Sequence, residues 1–204
     1  MLETVTISTR GTKTERDLVL KLLDSGIAAH CIFHDLYLTN AKNDFSQIDL
    51  VVVTNVGIIV IEVKKLSGWI FGSGNQSHWT QVLAYGKQKY RLYNPILQNN
   101  THVAALRKHL MPFGNIPVYS MIVFYGDCVL KEINYVPKGI FLVKERRALE
   151  VIDIILEENE QVHYNEAEVF CVLKDAFVNG ASEVIQHQHK ERIKDMIGKH
   201  RIFE

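Results

Sequence analysis

The sequence predicts a single α/β domain. Three observations lead there: an amphipathic helical pattern near the start, three extended apolar segments after it, and a second helical pattern that leads into a short apolar strand. The first helix is expected over residues 12–24, where Val19, Leu22 and Leu23 recur at helical spacing, Thr12 with Glu15 has the form of a capping box, and Gly26 ends the run. Residues 29–38 are rich in apolar and aromatic side chains, 48–54 are nearly all β-branched or leucine, and 57–64 continue in the same style. Asn55-Val56-Gly57 reads as a tight turn that makes the last two an antiparallel hairpin.

Beyond Ser67-Gly68 the glycine-rich stretch 71–77, Trp79 and the Tyr- and Lys-rich run to Tyr93 are expected to form further short strands or an irregular excursion. A helix should begin near Pro95 and run to about Met111, with Ile96, Val103, Leu106 and Leu110 on one stripe and Pro112 and Gly114 as its stop. Residues 118–125 are apolar and few enough for a buried strand, and 139–143 read as another. Helical patterns cover about 146–158, 165–178 and 181–199. No internal repeat or low-complexity linker separates a second domain, so 146–204 is expected to be a helical extension packed on a core formed by 1–145.

With 204 residues, 47% of them hydrophobic, the chain can bury a sizeable core. Its 23 basic and 23 acidic residues cancel, so any nucleic-acid footprint must be a local patch rather than a whole-molecule field. Cys31, Cys128 and Cys171 are an odd number without CxxC spacing, which argues against a disulfide framework or zinc ribbon and fits a reducing cytoplasm. Neither a signal peptide nor an apolar run of roughly 18–20 residues is visible, so a cytoplasmic protein with no membrane partner is expected.

The chemistry is concentrated at the end of the hairpin. Alternation along residues 57–64 puts Glu62 and Lys64 on one face with Ile58 and Val60. A carboxylate and an ammonium ending an apolar strand are costly to desolvate unless they pair or bind something. With a two-residue loop at Asn55-Val56, Asp49 falls opposite Glu62; a three-residue loop with a bulge at Gly57 would shift that register. Two facing carboxylates repel unless a cation lies between them, and oxygen ligands of this kind suit Mg2+ or Mn2+, which retain waters and take further ligands from phosphate. Lys64 beside such an ion could orient the attacking water or neutralise charge on a phosphodiester.

The set Gly11-x-x-x-Glu15, Gln47-Ile48-Asp49, Glu62-Val63-Lys64, Ser67-Gly68-x-Ile70, Trp79 and Asn94-Pro95-x-x-Gln98 resembles the nuclease-related domain (NERD) family of the PD-(D/E)XK nuclease superfamily, over roughly residues 10–125. The resemblance implies a restriction-endonuclease-like αβββαβ core with a mixed sheet, a Mg2+ or Mn2+ site and action on DNA. It also implies Glu15 as an acidic site residue able to join the metal, Asp49 and Glu62 as metal ligands, Lys64 as the catalytic lysine, and Gln98 as a polar site residue opening the second core helix. None of these positions is substituted in this chain.

Each residue has a structural competitor. Glu15 can act as the capping partner of Thr12, Asp49 as a surface ion-pair member, Glu62 with Lys64 as a strand-end salt bridge, and Gln98 as a cap for its helix. Trp79 and Tyr93 are expected to pack in the core or a lid rather than stack on bases, and His30, His34, His187 and His189, which lack an evident acidic or thiol partner, are left outside the site. Candidate phosphate contacts are Lys87, Lys89 and Arg91, then Arg107 and Lys108, with Lys144, Arg146 and Arg147 as a further cluster. Two functions follow: a metal-dependent nuclease acting on DNA in processing, repair or defence, or a nucleic-acid-binding module that keeps the fold without cleaving. In either case the C-terminal helices are candidates for homo-oligomer assembly.

Overall fold

The computed structural model describes residues 5–39 and 45–199, apart from the side chains of 84 and 192–199. Helix α1 (Lys13–Asp24) is followed by a 3-10 turn at Ala29–Cys31 and strands β1 (Ile32–Thr39), β2 (Phe45–Thr54) and β3 (Gly57–Lys65). Strands β4 (Trp69–Ser73), β5 (His78–Leu83) and β6 (Gln88–Tyr93) precede helix α2 (Pro95–Leu110) and strand β7 (Val118–Tyr125). The chain continues through β8 (Val129–Asn134), β9 (Ile140–Lys144), α3 (Ala148–Glu158), α4 (Glu166–Ala181) and α5 (Glu183–Lys199). The order α1-β1-β2-β3-α2-β7 is the αβββαβ arrangement expected from the sequence.

Five strands form the main sheet in the order β1-β2-β3-β7-β9. The first three run antiparallel, whereas β3, β7 and β9 are parallel to one another. One face packs Leu50, Val52, Ile59, Ile61 and Val63 against Leu18, Val19 and Leu22 of α1 and Val151, Ile152 and Ile155 of α3. The other packs Val51, Val53, Ile58 and Val60 against Val103, Leu106 and Leu110 of α2 and Val169, Leu173 and Ala176 of α4. Burial on both faces explains why β3 reads as a continuous apolar run, and each such aliphatic side chain contributes about 1.5–3 kcal/mol.

The stretch between β3 and α2 is neither irregular nor an extension of the main sheet. Together with β8 it forms a second sheet, β6-β5-β4-β8, in which β8 pairs parallel to β4. Its strands are short and its outward face polar, so hydrophobic alternation did not foretell β8. The chain crosses into this sheet twice, each time from the same end of the main one: β3 passes through Leu66–Gly68 into β4, and β7 through Gly126–Cys128 into β8. Gly68 makes the first departure possible, because it holds φ +71° and a Cβ there would lie 2.3 Å from the Val82 carbonyl oxygen. Trp79 joins the two sheets by stacking on Phe124, with ring centroids 6.4 Å apart, and donates its indole N–H to the Ser73 carbonyl. The expectation of a packing role thus holds for Trp79, whereas Tyr93 is half exposed and meets the His78 ring edge-on.

Asn94 explains the Asn-Pro pair. Fully buried, it donates its side-chain amide to the carbonyls of Ser73, Gly74 and Gln76, and its Oδ1 caps α2 by accepting from the Ile96 amide at 2.9 Å. Pro95 takes the first helical position, where no donor is needed. One turn on, buried Asn99 donates to Val60 O at 3.1 Å and Ser120 Oγ at 2.9 Å, fixing α2 across β3 and β7. All three cysteines are free thiols, and among the described residues no helix is long and apolar enough to cross a membrane.

Candidate active site

The hairpin register settles the first question about the site. Thr54 pairs with Gly57, so the loop has two residues, Asn55 and Val56, and pairing extends out to Leu50 opposite Ile61. Asp49 and Glu62 are the next positions after that last pair. There the two strands part: the Asp49 carboxylate itself accepts the Val63 amide, Oδ2 lying 2.8 Å from the nitrogen, in place of a backbone carbonyl.

Glu62 is almost fully buried, 1% exposed, at the α2 side of this opening. Its Oε1 meets the Lys64 ammonium at 2.5 Å, and its Oε2 lies 3.2 Å from Nε2 of His102 on α2. Burial pushes the Glu62 carboxyl up, but His102 and Lys64 together outweigh it and hold the group below the ordinary carboxylate range. Asp49 behaves oppositely. Burial first, then the charges of Glu62 and Glu15, raise it well above the ordinary value, against the weaker pull of the Val63 amide and Lys64. Burial and two neighbouring carboxylates thus both disfavour the charged form of Asp49.

Glu15 approaches from α1, on the other face of the sheet. It is 5% exposed and both its oxygens are engaged: Oε1 accepts the Thr12 hydroxyl at 2.6 Å and Oε2 lies 3.1 Å from His34 Nε2. Thr12 also caps α1 by accepting the Glu15 amide, so the capping expectation is met by the same residue that raises Asp49. Burial pushes Glu15 up, and His34 with Thr12 reverse that and hold it low. Gly11 is required beside it, since a Cβ there would fall 2.2 Å from Glu15 Oε2 and 2.4 Å from His34 Nε2. Gln47 supports the corner rather than the opening, donating to Asp35 Oδ1 at 2.9 Å. Asp35 in turn, at φ +57°, is held by Arg10.

Gln98 is half-buried one turn before His102, and residues four apart share a helix face, so it lies along the face that carries His102 to Glu62. Two histidines escape the sequence reading. His34 does have an acidic partner, Glu15, although none is evident in the sequence. His102 draws no attention there, yet Gln98-x-x-x-His102 at helical spacing is its visible signal. Among the described residues no group of three or more His, Cys, Asp and Glu is placed to hold a metal ion as the side chains stand.

The basic clusters fall into three places. Lys89 and Arg91 lie exposed on β6, opposite Val82 and Thr80, and Arg91 contacts His78 Nδ1 at 3.2 Å. Arg107 reaches Val118 O, at the end of β7 paired with Ile58, and Lys108 is next to it; this is the opposite end of β3 from Glu62. Lys144 is occupied by the carbonyls of Gly126 and Cys128, and Arg147 by Glu150.

A family model for the nuclease-related domain matches residues 10–125, more than half of the chain. The chain belongs to the NERD family. That family lies in the PD-(D/E)XK-like nuclease group, and the match covers Glu15, Asp49, Glu62, Lys64 and Gln98 together with the motif residues around them. An uncharacterized protein of Bacillus anthracis is 31% identical over 106 residues, 52% of this chain and 48% of its own length. The chain thus spans about half the length of the curated relative it matches. No solved structure matches it. The NERD segment ends with β7, so β8, β9 and the C-terminal helices lie outside the match.

Proposed function

We propose that this NERD protein is a divalent-metal-dependent nuclease that hydrolyses phosphodiester bonds in DNA. The observation that carries this reading is the convergence of Asp49, Glu62 and Lys64 where β2 and β3 part, with Asp49 held protonation-prone by burial and by the neighbouring Glu62 and Glu15 charges, both of which a cation would offset. The donor set fits Mg2+ or Mn2+: carboxylate oxygens from two strands, solvent access through half-buried Asp49 and Lys64, and one buried Glu62 oxygen that makes no hydrogen bond. An incomplete cage is what such ions use, since water and substrate phosphate complete it.

Asp49 and Glu62 would hold the ion, and Glu15 would join it only by giving up Thr12 or His34. When bound, the ion would activate water and offset charge on the scissile phosphate. Lys64 supplies the nearby ammonium, able to leave Glu62 for the developing negative charge, and Gln98 offers an amide along the α2 side. Lys87, Lys89 and Arg91 would track the DNA backbone on the second sheet, with Arg107 and Lys108 as a separate contact.

The test is cleavage of linear and circular DNA by the wild type, Asp49→Ala and Lys64→Ala, with and without Mg2+ or Mn2+. Metal-dependent cleavage lost in both variants supports the reading; cleavage that survives in both rejects this site. A second reading, a DNA-binding module without cleavage, is favoured by the exposed basic and aromatic β6 and by the closed Lys64–Glu62 pair. DNA binding without any cleavage would establish it. Charge reversal at Lys87, Lys89 and Arg91 should reduce binding and flatten its salt dependence in either case.

A further inference from the structure

Glu62 Oε2 and His102 Nε2 are both buried and face each other at 3.2 Å, yet neither has a well-aligned hydrogen-bond partner. Glu62 is 1% and His102 8% exposed, so water does not routinely satisfy either atom. Buried polar atoms of this kind are uncommon and demand a partner. The other ends of both side chains are committed: Glu62 Oε1 to Lys64, and His102 Nδ1 to Ser46 Oγ at 3.0 Å. In the tautomer that donates Nδ1–H to Ser46, Nε2 turns its lone pair toward Oε2; a proton on Nε2 makes the pair that holds Glu62 low, and a bound ion would take that proton's place. A carboxylate, backbone carbonyl or water accepting from the far nitrogen is the usual support for a metal-bound imidazole, and the Ser46 oxygen stands in that place.

We infer that His102 is a ligand of the divalent ion, binding through Nε2 beside Glu62 Oε2, with Ser46 fixing its ring. The inference rests on the metal-dependent reading above and extends it from carboxylates alone to a mixed nitrogen and oxygen donor set. Two donors about 2.1–2.2 Å from one ion at right angles stand roughly 3.0 Å apart, close to the separation found. The ion's remaining positions fall to water and substrate phosphate, and to Asp49 once its carboxylate turns from the Val63 amide. An imidazole ligand favours Mn2+ or other transition ions over Mg2+, which prefers oxygen alone.

Neither binding nor its geometry needs turnover to be measured. Mn2+ titrated into the full-length, tag-free protein, with and without a DNA duplex, gives the affinity, and pulsed electron paramagnetic resonance of the bound ion reports directly coordinated nitrogen. The wild type is expected to show one nitrogen coupling. His102→Gln should lose it and bind Mn2+ on the order of 10–100-fold more weakly. Ser46→Ala, a milder change that keeps the imidazole, should retain the coupling with a smaller loss of affinity. Bound Mn2+ without nitrogen coupling in the wild type, or coupling that persists in His102→Gln, would overturn the assignment and leave the nuclease reading standing. No Mn2+ binding to the wild type in either condition would overturn both.

Discussion

Two carboxylate–histidine pairs flank the opening between β2 and β3, and they differ in what each histidine does. At the α1 corner, His34 is fully buried, its Nε2 3.1 Å from Glu15 and its Nδ1 2.6 Å from the Thr6 hydroxyl, so every polar atom of its ring has a partner. At the α2 corner, His102 lies at nearly the same distance from Glu62, yet the facing atoms are poorly aligned, Lys64 holds the other Glu62 oxygen, and the Glu62 charge bears on Asp49. A satisfied pair fixes a helix to a sheet. A poorly aligned one beside a carboxylate whose charge is disfavoured is where the proposed ion would find its donors.

The largest separation between the corners should appear in cleavage. Asp49→Ala and Lys64→Ala are expected to lower the rate by about 10³-fold or more while leaving the fold intact, as circular dichroism would show. If either variant cleaved at the wild-type rate, the α2 corner would lose its distinction.

Next comes stability. His34→Ala leaves Glu15 and Thr6 facing a void and should cost about 3 kcal/mol in urea unfolding, whereas His102→Gln should cost about 1 kcal/mol or less. Equal losses would mean that both pairs are structural. Asn94→Ala removes the helix cap and three carbonyl contacts, and should cost about 2–3 kcal/mol, with α2 carrying Gln98 and His102 out of place and cleavage falling in parallel. Asp49→Asn makes the smallest change: it keeps an acceptor for Val63 and removes one of three mutually repelling charges. It should stabilise the metal-free protein by on the order of 1 kcal/mol, roughly 2–4 °C in Tm, while abolishing cleavage. A fall in Tm would show that the Asp49 charge is not under strain.

The same contrast explains what the sequence made visible. The β2–β3 hairpin was legible from its tight turn and β-branched runs, but its register was open by one residue; the pairing of Thr54 with Gly57 is the choice that brings Asp49 opposite Glu62. Glu15 was legible as a capping partner, and its contact with Thr12 bears that reading out; its expected place in the site has beside it only an electrostatic influence on Asp49. His102 was hidden because its partner stands forty residues away and its own neighbours are helical; only its spacing from Gln98 placed it on the right face. His34 was hidden for the same reason, since a strand side chain meets a helix side chain only once α1 is docked. The second sheet escaped because β4, β5, β6 and β8 bury only part of one face, and β8 is held by a parallel pairing with β4 that no local pattern announces.

Whether the acidic opening at Asp49 and Glu62 holds a divalent cation is tested most directly by thermal unfolding of metal-stripped protein against increasing Mn2+, because an ion that binds only the folded state stabilises it by RT ln(1 + [ion]/Kd) and so raises Tm. The wild type is predicted to gain stability with saturation, and Asp49→Asn to start higher and gain little or nothing. An equal gain in both proteins, or none in the wild type, would contradict the account.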